Sequence, residues 1–186
     1  MNEPDPTIIR AAAKGDHAAF ADLVSLYQEP VWRFLTRYVG DAHLAEDLTQ
    51  ETFLKLHRRL GSYRFRSKFS TWVFSIARNS AIDAHRSATR RNRLPDVAPR
   101  AAPIGQPGLG AELDEALASL SPKLREALLL VEVLGLRYRE VAEVLEVPIG
   151  TVKSRVFHAR NELSDFLTDE VGESDGGTTA SFGNAR

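Results

Sequence analysis

Residues 138–163 read YREVAEVLEVPIGTVKSRVFHARNEL, and this stretch decides the fold of the C-terminal part of the chain. The pattern predicts one helix over Tyr138–Glu146, a short break at 147–149, and a second helix from about Gly150 to Leu167. Two helices joined by so short a turn form the layout of a helix-turn-helix. One arc of the second helix is apolar and can pack inward, and it comprises Val152, Val156, Ala159 and Leu163.

The opposite arc of the second helix is polar and suits a DNA surface. It carries the hydrogen-bonding side chains of Lys153, Ser154 and His158, which are of the types that recognise base edges in the major groove, and the ring of Phe157 can touch a thymine methyl group. Arg155 and Arg160 lie on the flanks, where phosphates would be, and the Thr151 hydroxyl at the helix start also suits a phosphate. An amphipathic surface helix without a ligand is the alternative. The candidate duplex-contacting residues are Thr151, Lys153, Ser154, Arg155, Phe157, His158 and Arg160.

Helical periodicity also covers most of the chain before this stretch, and no alternating strand pattern persists. The exception is 87–111, which holds four prolines and three glycines and predicts a flexible linker. We therefore expect an all-α protein with two small helical domains joined by a flexible Pro/Gly-rich linker, the second being a helix-turn-helix four-helix domain. The expected bounds are 1–90 for the first domain, 91–111 for the linker, 112–168 for the second domain and 169–186 for a disordered acidic tail.

Charge is segregated along the chain, although the formal net charge is only −1. Residues 63–93 carry eight basic residues against one acid, and residues 147–160 carry three basic residues and no acid. By contrast, residues 1–29 carry five acids against two bases, and residues 161–186 carry six against one. Two basic islands in an acidic chain suggest two sites that touch one polyanion, while two solvated helix faces are the alternative.

The composition argues against several other classes of protein. No apolar run approaches the roughly 18–20 residues of a membrane helix, and the chain has no cysteine for a disulfide or a thiolate metal site. The acidic start, interrupted by proline, lacks the features of a secretory signal, so we expect a cytoplasmic protein without membrane insertion. The five histidines lack metal-ligand spacing and no nucleophile motif occurs. We therefore expect no enzyme, no catalytic residue, no metal and no cofactor.

Residues 63–72, YRFRSKFSTW, interleave aromatic rings with basic side chains. This combination suits single-stranded nucleic acid, because rings stack on unpaired bases at about 1–3 kcal/mol per base and cations follow the backbone. Burial in the core is the alternative for the aromatic residues, and whether Trp72 is core or contacts DNA stays open. On the following helix, steps of four, four and three residues place polar groups on one face. The candidate single-strand-contacting residues are Arg64, Arg66, Lys68, Trp72, Ser75, Asn79, Asp83 and Arg86.

Asp83 is the acid among the basic residues of 63–93. Its carboxylate is either a structural partner of Arg86 or a reader of a cytosine amino group.

Residues 47–56, DLTQETFLKL, carry more apolar side chains than one core face needs. Part of this helix could face a protein partner, and an ordinary two-sided core helix is the alternative. The candidate partner-binding residues are Asp47, Leu48, Gln50, Glu51, Phe53 and Leu54.

Taken together, these segments resemble the extracytoplasmic-function (ECF) group of bacterial RNA polymerase sigma factors, in the sigma-70 family. AEDLTQETF at 45–53 resembles the core-polymerase-binding region of that group, and FSTWVFSIARN at 69–79 resembles its promoter-melting and minus-ten-reading region. LSPKLREA at 120–127 and PIGTVKSRV at 148–156 resemble its minus-thirty-five-reading domain. The resemblance covers about residues 15–90 and 112–167.

The resemblance implies a promoter-recognition subunit. Its first domain would grip the clamp helices of the largest subunit of core RNA polymerase and capture a flipped-out base of the melted non-template strand. Its second domain would dock on the flap of the other large subunit and read the duplex upstream. An anti-sigma factor is a further implied partner. The alternative is a helix-turn-helix transcriptional regulator that acts without core polymerase, although such a protein has no need for the basic aromatic segment.

Two positions depart from the pattern of this group. Glu146 stands at a turn position that is often glycine, where a left-handed backbone costs little. His158 stands where a fixed positive charge is common, which predicts a weaker or pH-dependent contact.

Overall fold

The computed structural model describes residues 3–92 and 110–174, with side chains over 3–87 and 113–168. Most of the predicted linker, 93–109, and the last part of the predicted tail, 175–186, lie outside the described residues. The described residues form eight α-helices, with one 3-10 turn and one π turn and no strand, which confirms the all-α prediction. The helices are α1 Pro6–Ala13, α2 His17–Val39, α3 Ala42–Arg59, α4 Phe69–Asn92, α5 Gly110–Ser119, α6 Pro122–Leu128, α7 Tyr138–Leu145 and α8 Ile149–Ser174.

Three aspartates begin the first three helices, because each side chain accepts a hydrogen bond from a free N–H group of the first turn. Asp5 accepts from Thr7 at 2.7 Å, and Asp16 and Asp41 play the same part for α2 and α3. Asp5 is followed by Pro6 at the first helical position, a favourable start. The sequence pattern does not predict α1, because the prolines at positions 4 and 6 interrupt it.

The core of the first helical part lies between α2, α3 and α4. Tyr27 and Phe34 of α2 are fully buried and meet Phe69 and Phe74 of α4 edge-on, with ring centroids 5.6 and 5.9 Å apart. Edge-to-face pairs of this kind add about 0.5–1.5 kcal/mol beyond the burial of their area. Pro30 lies inside α2 without ending it.

Two helices run further than the sequence pattern predicts. The helix α4 continues to Asn92, into the 87–111 segment that the sequence predicts to be a flexible linker, since no proline or glycine occurs before Pro95. The helix α8 continues to Ser174, past the expected end near Leu167. Residues 169–174 are therefore helical, whereas the sequence predicts a disordered tail there.

The helix-turn-helix follows a buried α6. A π turn, Leu129–Val133, extends α6, and Gly135 with φ +65° ends it. The helix α7 ends at Glu146, whose backbone is left-handed with φ 55° and ψ 43°. This turn, where a glutamate stands at a position that is often glycine, therefore has the conformation that glycine adopts at little cost.

We expect Glu146→Gly to raise the free energy of unfolding by about 0.5–1 kcal/mol. A left-handed backbone costs a residue with Cβ about 1–2 kcal/mol, and the greater freedom of glycine in the unfolded chain offsets part of that gain. Urea unfolding measures the change. The matched control is Glu143→Gly in the interior of α7, which we expect to lose about 1 kcal/mol. A loss of stability in both variants would contradict the strain at Glu146.

The two helical parts pack against each other. Arg78 of α4 donates to Glu126 of α6, the Lys68 ammonium lies 2.6 Å from the Glu140 carboxylate of α7, and Arg37 of α2 pairs with Asp114 of α5 at 3.6 Å. The buried Arg125 guanidinium donates to the carbonyls of Leu117, Ala118 and Leu120 at 2.7–3.0 Å. Buried apolar residues from both parts belong to one continuous cluster.

Candidate nucleic-acid interface

The loop between α3 and α4 carries the aromatic and basic side chains of the candidate single-strand surface. Its shape is fixed by its own hydrogen bonds, because the Tyr63 hydroxyl donates to the Ser67 carbonyl at 2.6 Å and Arg64 donates to the Gly61 carbonyl at 2.7 Å. Phe65 has a left-handed backbone, with φ 56°. The side chains of Arg64, Phe65, Arg66 and Lys68 are exposed. The loop therefore presents three cations and one ring to solvent.

Trp72 is half-buried, so its ring lies partly in the core and partly at the surface. Its ring stacks on Tyr63 with centroids 5.0 Å apart and lies 5.8 Å from the buried Phe69. The outer part of Trp72 lines a cleft of about 290 Å³ together with Tyr63, Arg64, Arg66 and Ser67. Burial raises the pKa of Tyr63 to about 12, so its hydroxyl keeps its proton and its bond to Ser67.

The face of α4 that the sequence placed towards DNA is accessible. Asn79, Asp83 and Arg86 are exposed and Ser75 is half-buried. The first three line a cleft of about 430 Å³, which Lys55 and Arg59 of α3 and Arg78 of α4 complete on the protein side. The cleft carries amide, carboxylate and guanidinium groups, which can hydrogen-bond to the edge of an unpaired base.

Asp83 has an ionic partner on α3 that the sequence does not predict. The Lys55 Nζ atom lies 3.5 Å from the Asp83 carboxylate, 2.8 Å from the Glu51 carboxylate and 3.1 Å from the Ser80 hydroxyl. The Asp83 side chain is nevertheless 63% exposed, so it can still accept a hydrogen bond from a base. Only tertiary packing of α3 on α4 brings Lys55 to this face.

Acidic residues of the second helical part lie beside this surface. Glu146 lines the α4 cleft, Glu140 pairs with Lys68, and Glu126 accepts from Arg78. Burial raises the pKa of Glu126, although Arg78 opposes the shift. Partial burial also raises the pKa of Glu140, but hydrogen bonds from Lys68 and from the Arg137 N–H outweigh it and leave that pKa below its usual range.

The helix α8 separates a buried arc from an exposed one. Val152, Val156 and Ala159 are buried. Of the candidate duplex-contacting residues, Thr151 and Arg155 are half-buried, and the exposed ones are Lys153, Ser154, Phe157, His158 and Arg160. Phe157 is 61% exposed, so its ring is available to a partner surface.

Arg160 contacts Glu132 of the π turn within the same helical part. Its Nε atom donates to the Glu132 carboxylate at 3.2 Å, and its Nη2 atom donates to the same oxygen. A phosphate contact by Arg160 would therefore have to share or replace this ion pair.

A third surface lies on α3, away from the basic residues. Asp47, Gln50 and Leu54 are exposed, Glu51 and Phe53 are half-buried, and Leu54 is 58% exposed. Of these side chains, Gln50, Phe53 and Leu54 line an apolar groove of about 660 Å³, together with Phe20 and Val24 of α2. Leu48 is only 2% exposed, so of the candidate partner-binding residues it is the one that packs in the core beneath this surface.

Comparison with known proteins identifies the family. Models of sigma-70 region 2 and of sigma-70 region 4 match residues 23–91 and 110–163. The RNA polymerase sigma-H factor of Pseudomonas aeruginosa is 32% identical, over 89% of this chain and 94% of its own. The ECF RNA polymerase sigma factor SigW of Bacillus subtilis is 32% identical, over 87% of this chain and 95% of its own.

A solved structure agrees with the sequence matches. The sigma factor RpoE from Bartonella quintana, in complex with the anti-sigma factor NepR, superposes with a TM-score of 0.71 at 30% identity, over 80% of this chain and 96% of that one. The fold, the two family models and these relatives define a sigma factor of bacterial RNA polymerase. The chain belongs to the ECF group of the sigma-70 family. In the described residues, no helix is long and apolar enough to cross a membrane.

Proposed function

We propose that this chain directs core RNA polymerase to promoters through three surfaces on two domains. The first domain, 1–90, binds the clamp helices of the largest subunit through α3 and reads melted minus-ten DNA with the 63–68 loop and α4. The second domain, 112–168, docks on the flap of the other large subunit and reads minus-thirty-five duplex with α8. The observation that carries the proposal is the presence of three distinct surfaces: a polar and basic cleft along α4, an exposed polar arc on α8, and an apolar groove between α2 and α3.

The single-strand surface combines a stacking wall with a polar face. Tyr63 and Trp72 offer rings to a base, and Arg64 and Arg66 in the loop can follow its backbone, joined by Lys68 once it leaves Glu140. Extruding a base costs a few kcal/mol, which stacking and pocket contacts can offset. Asn79 and Asp83, one helical turn apart, then supply a donor and acceptors for its edge.

The α8 surface suits a major groove. Lys153 and Ser154 are exposed near the start of the helix, where a recognition helix meets base edges. Val152 of α8 is buried in the core, which sets how the helix is rotated about its axis. The polar arc of α8 therefore faces outward. Arg155 lies on the flank and can contact phosphate.

The α3 surface suits a protein partner, since an exposed leucine and a half-buried phenylalanine line an apolar groove with Gln50, and the polar side chain of Asp47 is exposed on the same helix. In a helix-turn-helix regulator that acts without core polymerase, this apolar groove would have no polymerase subunit to bind. The function as a sigma factor requires a polymerase subunit there, and a DNA-binding regulator that acts alone does not.

We expect the double substitution Asp47→Ala with Gln50→Ala to weaken binding to core polymerase by about 1–3 kcal/mol, or roughly 5- to 150-fold. Both side chains are polar and exposed, so α3 stays folded. Fluorescence titration of labelled chain with core polymerase measures the effect. Glu29→Ala with Arg33→Ala, an exposed pair on α2, is the control and should bind as the wild type does. Equal affinity in both double variants would remove α3 from the interface.

Run-off transcription with purified core polymerase on a genomic library tests the function as a whole. Specific transcripts that depend on this chain support the proposal. A chain that binds duplex DNA but neither binds core polymerase in a pull-down nor yields transcripts would instead be a regulator of the helix-turn-helix type.

An anti-sigma factor is the further partner that we propose. The relative from Bartonella quintana was solved in complex with one, and both helical parts of this chain are covered by that likeness. Co-purification of a bound protein from the native cell, followed by loss of transcription on its addition, would identify this partner.

A further inference from the structure

The N-terminal segment contacts the candidate single-strand surface at two points. The Glu3 carboxylate accepts a hydrogen bond from the Phe69 N–H at 2.9 Å, another from the Ser70 N–H at 3.4 Å, and one from the Ser70 hydroxyl. The Arg10 guanidinium lies over the Phe65 ring, 4.9 Å from its centroid. Glu3 and Arg10 lie outside the 23–91 stretch that the region 2 model matches.

Glu3 caps the first turn of α4 from a distance of more than sixty residues in sequence. The first N–H groups of a helix have no partner inside it, and Lys68, which precedes α4, has no acceptor in its side chain. A carboxylate is the favoured acceptor there, because the helix dipole attracts negative charge. The Trp72 N–H bonds to the Lys68 carbonyl at 3.1 Å and closes this turn. Glu3 therefore fixes where α4 begins and where Trp72 stands.

Arg10 supports the other side of the loop. Its guanidinium covers Phe65, the Phe65 ring lies 4.8 Å from Tyr63, and Tyr63 stacks on Trp72. Phe65 has a left-handed backbone, which a side chain with Cβ keeps only where its surroundings hold it. The stack ends at the cleft of about 290 Å³ that Trp72 lines.

We propose that Glu3 and Arg10 are positioning residues for melted DNA: they hold the 63–68 loop and the first turn of α4 in the shape that receives an unpaired base, without touching DNA themselves. This inference rests on the proposed function of that loop in binding the non-template strand. It extends the minus-ten-binding unit to the N-terminal segment.

The sign of the effect separates positioning from simple electrostatics. Glu3→Gln removes a negative charge beside a basic loop, so Coulomb attraction alone would strengthen the binding of every strand. Positioning demands weaker binding of the matched strand, because a neutral amide is a poorer acceptor at a helix start. Arg10→Lys keeps the charge and loses the planar group that covers Phe65. Electrostatics predicts no change there, and positioning predicts a loss.

The experiment uses the chain assembled with core polymerase. The probe is a fluorescein-labelled single strand carrying the non-template minus-ten element of a promoter recovered by run-off transcription, with a scrambled strand as reference. We expect Glu3→Gln and Arg10→Lys each to lower the matched-to-scrambled affinity ratio by about three- to tenfold. The controls Glu29→Gln and Arg33→Lys change an exposed pair on α2 and should leave the ratio unchanged.

A second measurement detects the loop itself. In a Trp32→Phe background of the free chain, Trp72 is the remaining tryptophan, and its emission reports the stack with Tyr63. We expect Glu3→Gln and Arg10→Lys to shift that emission at a temperature where circular dichroism shows every variant folded. A role in general stability would lower the unfolding midpoint and leave both the emission and the strand ratio unchanged.

The outcomes distinguish this inference from the function on which it rests. If wild-type holoenzyme prefers the matched strand and both variants keep that preference, the positioning role is overturned and the proposed function stands. If Glu3→Gln tightens both strands equally, Glu3 acts by charge alone and the positioning role is overturned. If the wild type itself shows no preference, the role of the loop in melted DNA fails, and this inference fails with it.

Discussion

Asn79→Ala is expected to remove most of the preference of the holoenzyme for its minus-ten strand. The amide is exposed on α4 and lines the same cleft as Asp83 and Arg86. A side-chain amide that makes two hydrogen bonds to a base edge is worth about 1–3 kcal/mol of discrimination, or roughly 5- to 150-fold. Anisotropy of labelled matched and scrambled single strands at two salt concentrations measures the loss.

Arg66→Ala is the matched control for Asn79→Ala. Arg66 is exposed in the loop, so we expect its loss to weaken both strands alike and to reduce the salt dependence of binding. If Asn79→Ala also weakens both strands alike, the α4 face contacts the backbone and does not select bases.

Lys153→Ala should show the second large effect, on duplex DNA. Lys153 is exposed near the start of α8, and a base contact there is worth about 1–3 kcal/mol at one upstream position. If Lys153 touches only phosphate, the loss will be nearly the same for all sequences. Competition binding of the holoenzyme to duplexes varied at each minus-thirty-five position distinguishes the two results.

The neighbouring residue supplies the control for Lys153→Ala. Val152 is fully buried, so Val152→Ala should lower the free energy of unfolding by about 0.5–3 kcal/mol. At a temperature where that variant stays folded, its base preferences should equal those of the wild type. Promoter affinity that survives Lys153→Ala at physiological salt would remove this side chain from the interface.

The helix faces were predictable from the sequence because a helical period fixes them locally. On α8 the period placed Val152 and Val156 inward and Lys153 and Ser154 outward, and the burial of these side chains agrees. The turn at Glu146 was also recognisable in the sequence. The helical pattern on both sides places Glu146 at the end of the first helix of the helix-turn-helix, and the backbone there is left-handed.

Contacts between distant segments could not be predicted in this way. Nothing local to Glu3 shows that it caps α4, and nothing local to Lys55 shows that it reaches Asp83. Leu48 illustrates the same limit, because its place in a helix with apolar residues on several sides is decided by the packing of α2 and α4. The start of α1 is different, because its signal is local: an aspartate that caps the helix, followed by a proline at the first helical position. A proline can also mark a break, and that second meaning hides the helix start in the sequence.

The packing of the two helical parts affects how salt acts on this protein. Lys68 is both a candidate contact to DNA and the partner of Glu140, so it can serve a phosphate only after leaving that carboxylate. If a closed form, in which Lys68 pairs with Glu140, outnumbers an open form, in which Lys68 is released, by about a hundred to one, the apparent affinity for DNA is about a hundredfold weaker. Added salt weakens the contact to phosphate, but it also screens the Lys68–Glu140 pair and thereby populates the open form. The two effects oppose each other. The slope of log affinity against log salt concentration for the free chain would therefore be shallower than the number of phosphates that the chain neutralises predicts.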